Sequence, residues 1–370
     1  MRSKSYIILL TFYSLFIWFY TFSYSVLPTH LLSQGLTLQQ LVSGQLVRFA
    51  AQLLIIPLLI FLSSRVSWLL GITCSLLYIV LSIKIFSFNQ FLIASIFSGF
   101  NVTLFYVFYN IAHFRNTPKQ RTGFSSSLMF VIPIIIGIIT PVIAGFLKLS
   151  SSRLVWLLSL VFFFITIYLI RFQKDFKIKF NLINVLLEIK TTRFYLILEG
   201  FWESLIFGFI PIYTLFFLKT PVEYGLFLSY VAIISAAASL FLGHYTDKIK
   251  KRKIFIYPVT VILSITTLLF YLAVNNLIIW LIIVGITHFF VQFFWILMTA
   301  FVVDVNDNIE TLMVGREICL AFGKFIGLIF VYLSFIYEQK PLILFFILSG
   351  AMLTIGIKLF RDKNFKAIKD

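Results

Sequence analysis

The sequence predicts an all-α integral membrane protein of twelve transmembrane helices in two pseudo-symmetric six-helix bundles. Three observations lead there. Of 370 residues, 61% are apolar and only 12% are charged, and mean hydropathy is +1.04, whereas a soluble domain carries about 45–50% apolar and roughly 25% charged residues. Apolar runs near the roughly 20 residues needed to cross a bilayer core recur twelve times. Basic residues alternate between the connections: 23 of the 30 Lys and Arg fall at the termini and on even-numbered connections, and only Lys84, Lys148, Arg153, Lys219 and Lys340 on odd-numbered ones. The positive-inside rule then places both termini in the cytoplasm, in a plasma membrane expected to be prokaryotic. The formal net charge of +17 is thereby read as a topology signal and not as a nucleic-acid footprint, because the aromatics lie in the spans and the cations at their ends.

Arg2 and Lys4 precede the first span, residues 6–27, as in a signal peptide. Its apolar run is too long and no small-residue cleavage site follows, so it is read as a retained helix. Spans at 40–62, 66–83, 90–113, 124–147 and 154–170 complete the first bundle, 1–170. The connection 171–194 carries six basic residues against Asp175 and Glu188. Phe176, Phe180, Ile183 and Leu187 recur at helical spacing there, which predicts a basic amphipathic helix on the anionic inner leaflet, a solvated linker with incidental apolar residues being the alternative. The second bundle, 195–357, holds spans at 195–218, 225–246, 254–274, 277–300, 317–336 and 341–357, and a basic cytoplasmic tail occupies 358–370. Little chain remains for a soluble domain, and the partners to expect are the lipid bilayer and small solutes, with the chain acting as a monomer.

The connection between spans eight and nine, with the helix end before it, reads Gly243-His244-Tyr245-Thr246-Asp247-Lys248-Ile249-Lys250-Lys251-Arg252. It resembles the G-x-x-x-D-[RK]-x-G-[RK]-[RK] signature of the major facilitator superfamily, with Lys250 in place of the second glycine. By that resemblance Gly243, Asp247, Lys248 and Arg252 form a gating loop that holds one half against the other. Leu62-Ser63-Ser64-Arg65 looks like a worn first-half copy that lacks its acid. Gly137-Ile138-Ile139-Thr140-Pro141-Val142-Ile143-Ala144-Gly145 resembles the family's glycine-proline signature common in exporters; ordinary Gly/Pro kinking of a buried helix is the alternative. The family's span-four arginine is absent between Gln90 and Phe114, which argues against coupling of the drug/proton antiporter type. The resemblance implies the major facilitator fold and a secondary transporter of a small organic solute, not an enzyme, that works by alternating access around a mid-membrane site. Proton coupling and export are the finer expectations. An uptake carrier for a small organic anion is the alternative, and a non-transporting membrane enzyme or sensor is the alternative of another class.

In that family spans one, four, seven and ten line the cavity. Tyr13, Phe16, Tyr20 and Tyr24 share one helix face of span one; Thr103, Tyr106, Asn110 and His113 one of span four; His288, Gln292 and Trp295 one of span ten. Of these, Tyr20, Tyr24, Tyr106, Asn110, His288, Gln292 and Trp295 are candidate substrate-binding residues, joined by Trp202 of span seven. Glu199 and Glu203 stand roughly 40° apart around a helix and about 6 Å apart along it. Two carboxylates that close in apolar surroundings disfavour double ionisation, so the pair can load a proton on one side and release it on the other, with Glu203 as the carrier and Glu199 beside it; a solvated Glu199 near the cytoplasmic interface, without special role, is the alternative.

Arg48 and Lys324 complete the candidate substrate-binding set. Each lies about two turns inside a span, where a cation costs about 2.5–3.5 kcal/mol to insert and needs a partner or an aqueous cavity. No Asp or Glu precedes Asp175. Arg48 therefore pairs across the halves, Glu203 being one option, or binds an anionic substrate, or is satisfied by water and carbonyls. Glu317 and Lys324 share a face of span eleven and read as parts of one polar track. No phosphate-binding loop occurs, the four histidines lack metal-ligand spacing, and Cys74 and Cys319 sit in apolar runs. Neither cofactor nor metal is expected.

Overall fold

The computed structural model describes residues 4–116, 122–245, 252–306, 308–337 and 341–361. Twelve helices among them are long and apolar enough to cross a membrane. The first six are Lys4–Ser33, Leu38–Phe61, Ser64–Ile83, Phe88–Arg115, Ser126–Ser150 and Ser152–Ile170. Spans seven to twelve are Lys190–Phe217, Pro221–Phe241, Phe255–Ala273, Leu277–Val305, Ile309–Tyr337 and Leu342–Arg361. Local chemistry sets several starts. Thr37 and Gln40 form a capping box before span two, Ser87 accepts from Gln90 N before span four, and Asn276 accepts from Ile278 N and Ile279 N before span ten. Each supplies an acceptor for helix-end N–H groups that no carbonyl can reach.

The packing repeats with an offset of six spans. Span one lies against five and six as seven lies against eleven and twelve; two against four as eight against ten; three against four as nine against ten. Across the halves, span five packs on eight and span two on eleven, which are equivalent contacts under the same offset. The five–eight crossing is close because two glycines face backbone reciprocally. A Cβ added at Gly145 would meet Pro221 O at 2.7 Å, and one at Gly225 would meet Pro141 O at 2.5 Å. Neither position admits a side chain without separating the helices.

Two elements differ from the sequence reading. Span ten continues to Val305 and span eleven begins at Ile309, so the stretch from Glu310 to Arg316 is helix and not connection. The charges that end the apolar window are paired: Arg316 Nη1 lies 3.3 Å from Glu317 Oε1, and Glu310 meets Arg115 of the other half. Between spans six and seven the helix is confined to Leu182–Glu188. Phe176 and Phe180 precede it, Ile183 and Leu187 are exposed, and the residues turned inward are Ile178, Val185 and Ile189.

The segment ahead of that helix docks on the start of span three. Asp175 Oδ1 accepts from Ser64 Oγ and from Arg65 N, both at 3.1 Å. Gln173 O accepts from Arg65 Nε at 2.8 Å, and Ser63 bridges Lys177. The acid lacking from the first-half signature thus arrives from more than 100 residues away.

Candidate functional site

A cavity of about 470 Å³ lies between the halves. Its first-half wall holds Tyr13, Tyr20, Arg48, Phe49, Gln52, Tyr106, Asn110 and Phe130. Phe207, Gln292, Trp295, Arg316, Glu317 and Lys324 face it from the second half.

On the first wall Arg48 Nη2 donates to Tyr20 Oη at 2.9 Å and Nη1 to Gln45 Oε1 at 3.3 Å. Tyr20 is backed by Tyr24, stacked at 4.0 Å, whose hydroxyl accepts from Ser75 Oγ at 3.3 Å. Tyr106 stands edge-on to Tyr13 and Phe16, with ring centroids 6.5 and 6.0 Å away. Stacked and edge-on rings at these separations make a stiff wall, since each fixes the rotamer of the next.

The second wall is organised by Glu203, which is 3% exposed. Its Oε1 accepts from Trp295 Nε1 at 2.5 Å, and Lys324 Nζ lies 2.9 Å from Oε2, a charge contact made off the hydrogen-bonding direction. Trp295 is flanked by Phe130 at 6.1 Å and Phe207 at 5.8 Å, all three rings nearly parallel. Lys324 reaches over Phe207 at 4.7 Å and, across the halves, over Phe49 at 5.6 Å. Arg48 approaches the same Phe49 ring at 5.7 Å, so Arg48 and Lys324 share one aromatic neighbour. Directly after Glu203 and Ser204 the helix widens into a π-helical turn, Leu205–Phe209, a local irregularity common at functional sites.

Among the sequence candidates, then, Tyr20, Arg48, Tyr106, Asn110, Gln292, Trp295 and Lys324 stand on the cavity wall, and Glu203 is bonded to two of them. Tyr24 lies behind Tyr20. Trp202 is fully buried and donates to Thr267 Oγ1 of span nine at 2.9 Å. His288 is half-buried and off the wall. Glu199 is 1% exposed, and among the described residues neither of its oxygens has a hydrogen-bond partner. Arg48 takes no part in the ion pairs of the described residues, and Glu203 is held by Lys324 instead. Sequence reasoning missed Arg316, 8% exposed and bonded to Glu317 and Thr299, because it was assigned to a connection. Of the gating-loop candidates, Asp247 and Lys248 lie outside the described residues. Gly243 and Arg252 belong to the flanking helices Pro221–Tyr245 and Arg252–Ala273.

No protein-family model matches the sequence, and no curated protein matches it. Solved structures do. A bacterial homologue of the iron transporter ferroportin, in an outward-facing state, superposes with a TM-score of 0.74 at 14% identity, covering 97% of this chain and 99% of that one. The human organic anion transporter MFSD10 gives 0.68 at 14%, with 96% and 98% covered. The major facilitator superfamily transporter FucP, in the outward conformation, gives 0.68 at 12%, with 98% and 99% covered. Similarity over essentially the whole of each chain, with the offset-by-six packing and the cavity between the halves, shows that this chain has the fold of the major facilitator superfamily.

Proposed function

We propose that the protein is a secondary transporter of a small organic solute, working by alternating access and coupled to protons through Glu203, with Glu199 beside it. The observation that carries this reading is the buried Glu203–Lys324 contact on the wall of a cavity shared by both halves. An ionised Glu203 anchors Lys324, and Lys324 also rests on Phe49 of the opposite half. A proton on Glu203 removes the charge that holds the ammonium, so protonation is felt directly at an inter-half contact. Among the described residues Glu199 has no hydrogen-bond donor, which suits it to hold or relay a proton beside the pair. FucP, among the solved structures of this fold, is described as a fucose:proton symporter, a solute–proton pairing of the kind inferred here. The glycine-proline stretch of span five, whose Gly145 faces span eight, favours export as the direction. The charge distribution supports cytoplasmic termini.

The test uses protein reconstituted in proteoliposomes, with single cysteines at the two cavity mouths and Cys74 and Cys319 replaced by alanine. Reciprocal changes in labelling from the two sides on shifting pH are expected, and labelling that never alternates overturns the carrier reading. Accumulation driven by an imposed pH gradient should disappear in Glu203→Gln. If it persists, the coupling assignment fails.

A further inference from the structure

We propose that this cavity, read as the carrier's solute site, receives an amphiphilic monoanion: a flat aromatic body along the Phe130–Trp295–Phe207 array, with one carboxylate-sized group taken by Arg48. The proposal rests on the carrier reading only for the word solute; the site itself is argued from charge and packing.

Three cations stand on the wall, Arg48, Arg316 and Lys324. Lys324 is matched by Glu203 and Arg316 by Glu317, at 2.9 and 3.3 Å. Among the described residues Arg48 meets only neutral groups, the oxygens of Tyr20 and Gln45 and the Phe49 ring, and its Nε has no partner. The first half cannot supply a counter-charge, since no acid occurs in the chain before Asp175. A guanidinium on a cavity wall in an apolar layer, with no carboxylate paired to it among the described residues, is a receptor for a planar anion, which can exchange for its neutral acceptors through two parallel N–H bonds. A cationic solute finds no such vacancy on the wall, because the lining carboxylate, Glu317, is engaged by Arg316, and Glu203 behind it by Lys324.

The rest of the wall agrees. Gln52, Asn110 and Gln292 line the cavity with side chains no more than 3% exposed, and Gln52 Nε2, Asn110 Oδ1 and Gln292 Nε2 are buried with no hydrogen-bond partner among the described residues. Buried amides without partners are expensive unless something in the cavity bonds to them. They sit beside parallel aromatic rings, so the complementary molecule offers a flat apolar surface, acceptors for the two glutamine amides and a donor for Asn110 around one negative group. A volume of about 470 Å³ falls within the range of roughly 300–1,000 Å³ typical of small-molecule sites.

The experiment is isothermal titration of the purified full-length protein in detergent with naphthoate, naphthamide and naphthylmethylammonium, which share one flat body and differ in charge. Naphthoate should bind at least about tenfold more tightly than the amide, a gap of about 1.4 kcal/mol, and the ammonium more weakly than either. Arg48→Gln should bring naphthoate down to the level of the amide. Arg48→Lys, which keeps the charge and loses the fork, should retain the order at lower affinity, and it serves where the glutamine variant does not fold. Equal binding of the three probes, preference for the ammonium, no binding of naphthoate, or an anion preference that survives Arg48→Gln each overturns the proposal. Cysteine alternation is read without any ligand, so a failure here leaves the carrier reading intact, and a failure there leaves this anion site standing.

Discussion

Lys324 of span eleven and Glu203 of span seven lie 2.9 Å apart, with Trp295 of span ten bonded to the other oxygen of the same carboxylate. Two charges withdrawn from water stabilise a fold little as a pair, but each is costly without the other, because the survivor stays buried and uncompensated. Glu203→Gln or Lys324→Met alone should therefore destabilise the detergent-solubilised protein by about 3–5 kcal/mol, and the double variant should recover most of that loss. Denaturant titration of the four proteins gives the coupling directly, and strictly additive losses would show that the contact is not energetically real.

The crossing of spans five and eight yields a second prediction. Because the carbonyl of Pro221 faces Gly145 and that of Pro141 faces Gly225, a larger residue at either glycine must push the halves apart at this point. Gly145→Val and Gly225→Val are each expected to lower the melting temperature by several degrees, as overpacking costs about 1–3 kcal/mol. Both should also slow the interconversion of accessibility states, since the crossing joins the moving halves. Unchanged melting and unchanged cysteine-labelling kinetics would mean that the helices do not meet as closely as described.

Asp175 makes a third. Burial opposes its ionisation, yet the Arg65 N–H, the Ser63 and Ser64 hydroxyls and the Arg65 charge outweigh that and hold its carboxyl below the ordinary range. A depressed folded value means that the latch contributes its full stability above the unfolded value of about 3.9 and loses it as pH falls through the folded one. Limited proteolysis of the linker should thus be flat from neutral pH down to about 4 and rise below it. Asp175→Ala should be cleaved faster above about pH 4, at a cost of about 0.5–2 kcal/mol, the usual worth of a helix N-terminal acceptor, and the difference should close as the wild-type latch is protonated. A linker whose cleavage is the same in wild type and Asp175→Ala would remove the latch.

How far all this was legible in the sequence depends on the range of each interaction. Spans follow from apolar runs alone, and Arg48, Lys324 and Glu203 stand out because a charge in such a run requires an explanation. The partners were not legible: Lys324 finds Glu203 from 121 positions away, and Asp175 finds Arg65 from 110. Trp202 was grouped with Glu203, but adjacent helical residues point about 100° apart. With Glu203 turned to Trp295 and Lys324, Trp202 must face elsewhere, and it meets Thr267. Phe130 and Phe207 were lost among 46 phenylalanines; only the assembled cavity distinguishes the two that flank Trp295. Arg316 was hidden by its own charge, which started the apolar window of span eleven at 317, eight residues after the helix begins at Ile309.

A fourth prediction concerns the face that carries the described chain ends, where Arg115 of span four pairs with Glu310 at the start of span eleven. Arg115 also lies over the Phe176 ring at 4.6 Å, so one guanidinium joins the first half, the linker and the second half. Its side chain is 38% exposed and that of Glu310 29%, and ion pairs of that exposure contribute about 0.2–1 kcal/mol and weaken with salt. That is little against unfolding, but applied to a two-state equilibrium it shifts populations by up to about fivefold. Arg115→Glu should raise labelling of cysteines inside the cavity from this face, Glu310→Arg should do the same, and the exchanged double variant should restore the wild-type level. The difference should shrink as ionic strength rises. If both single reversals leave accessibility unchanged at low salt, the pair is a surface contact with no part in closing the cavity.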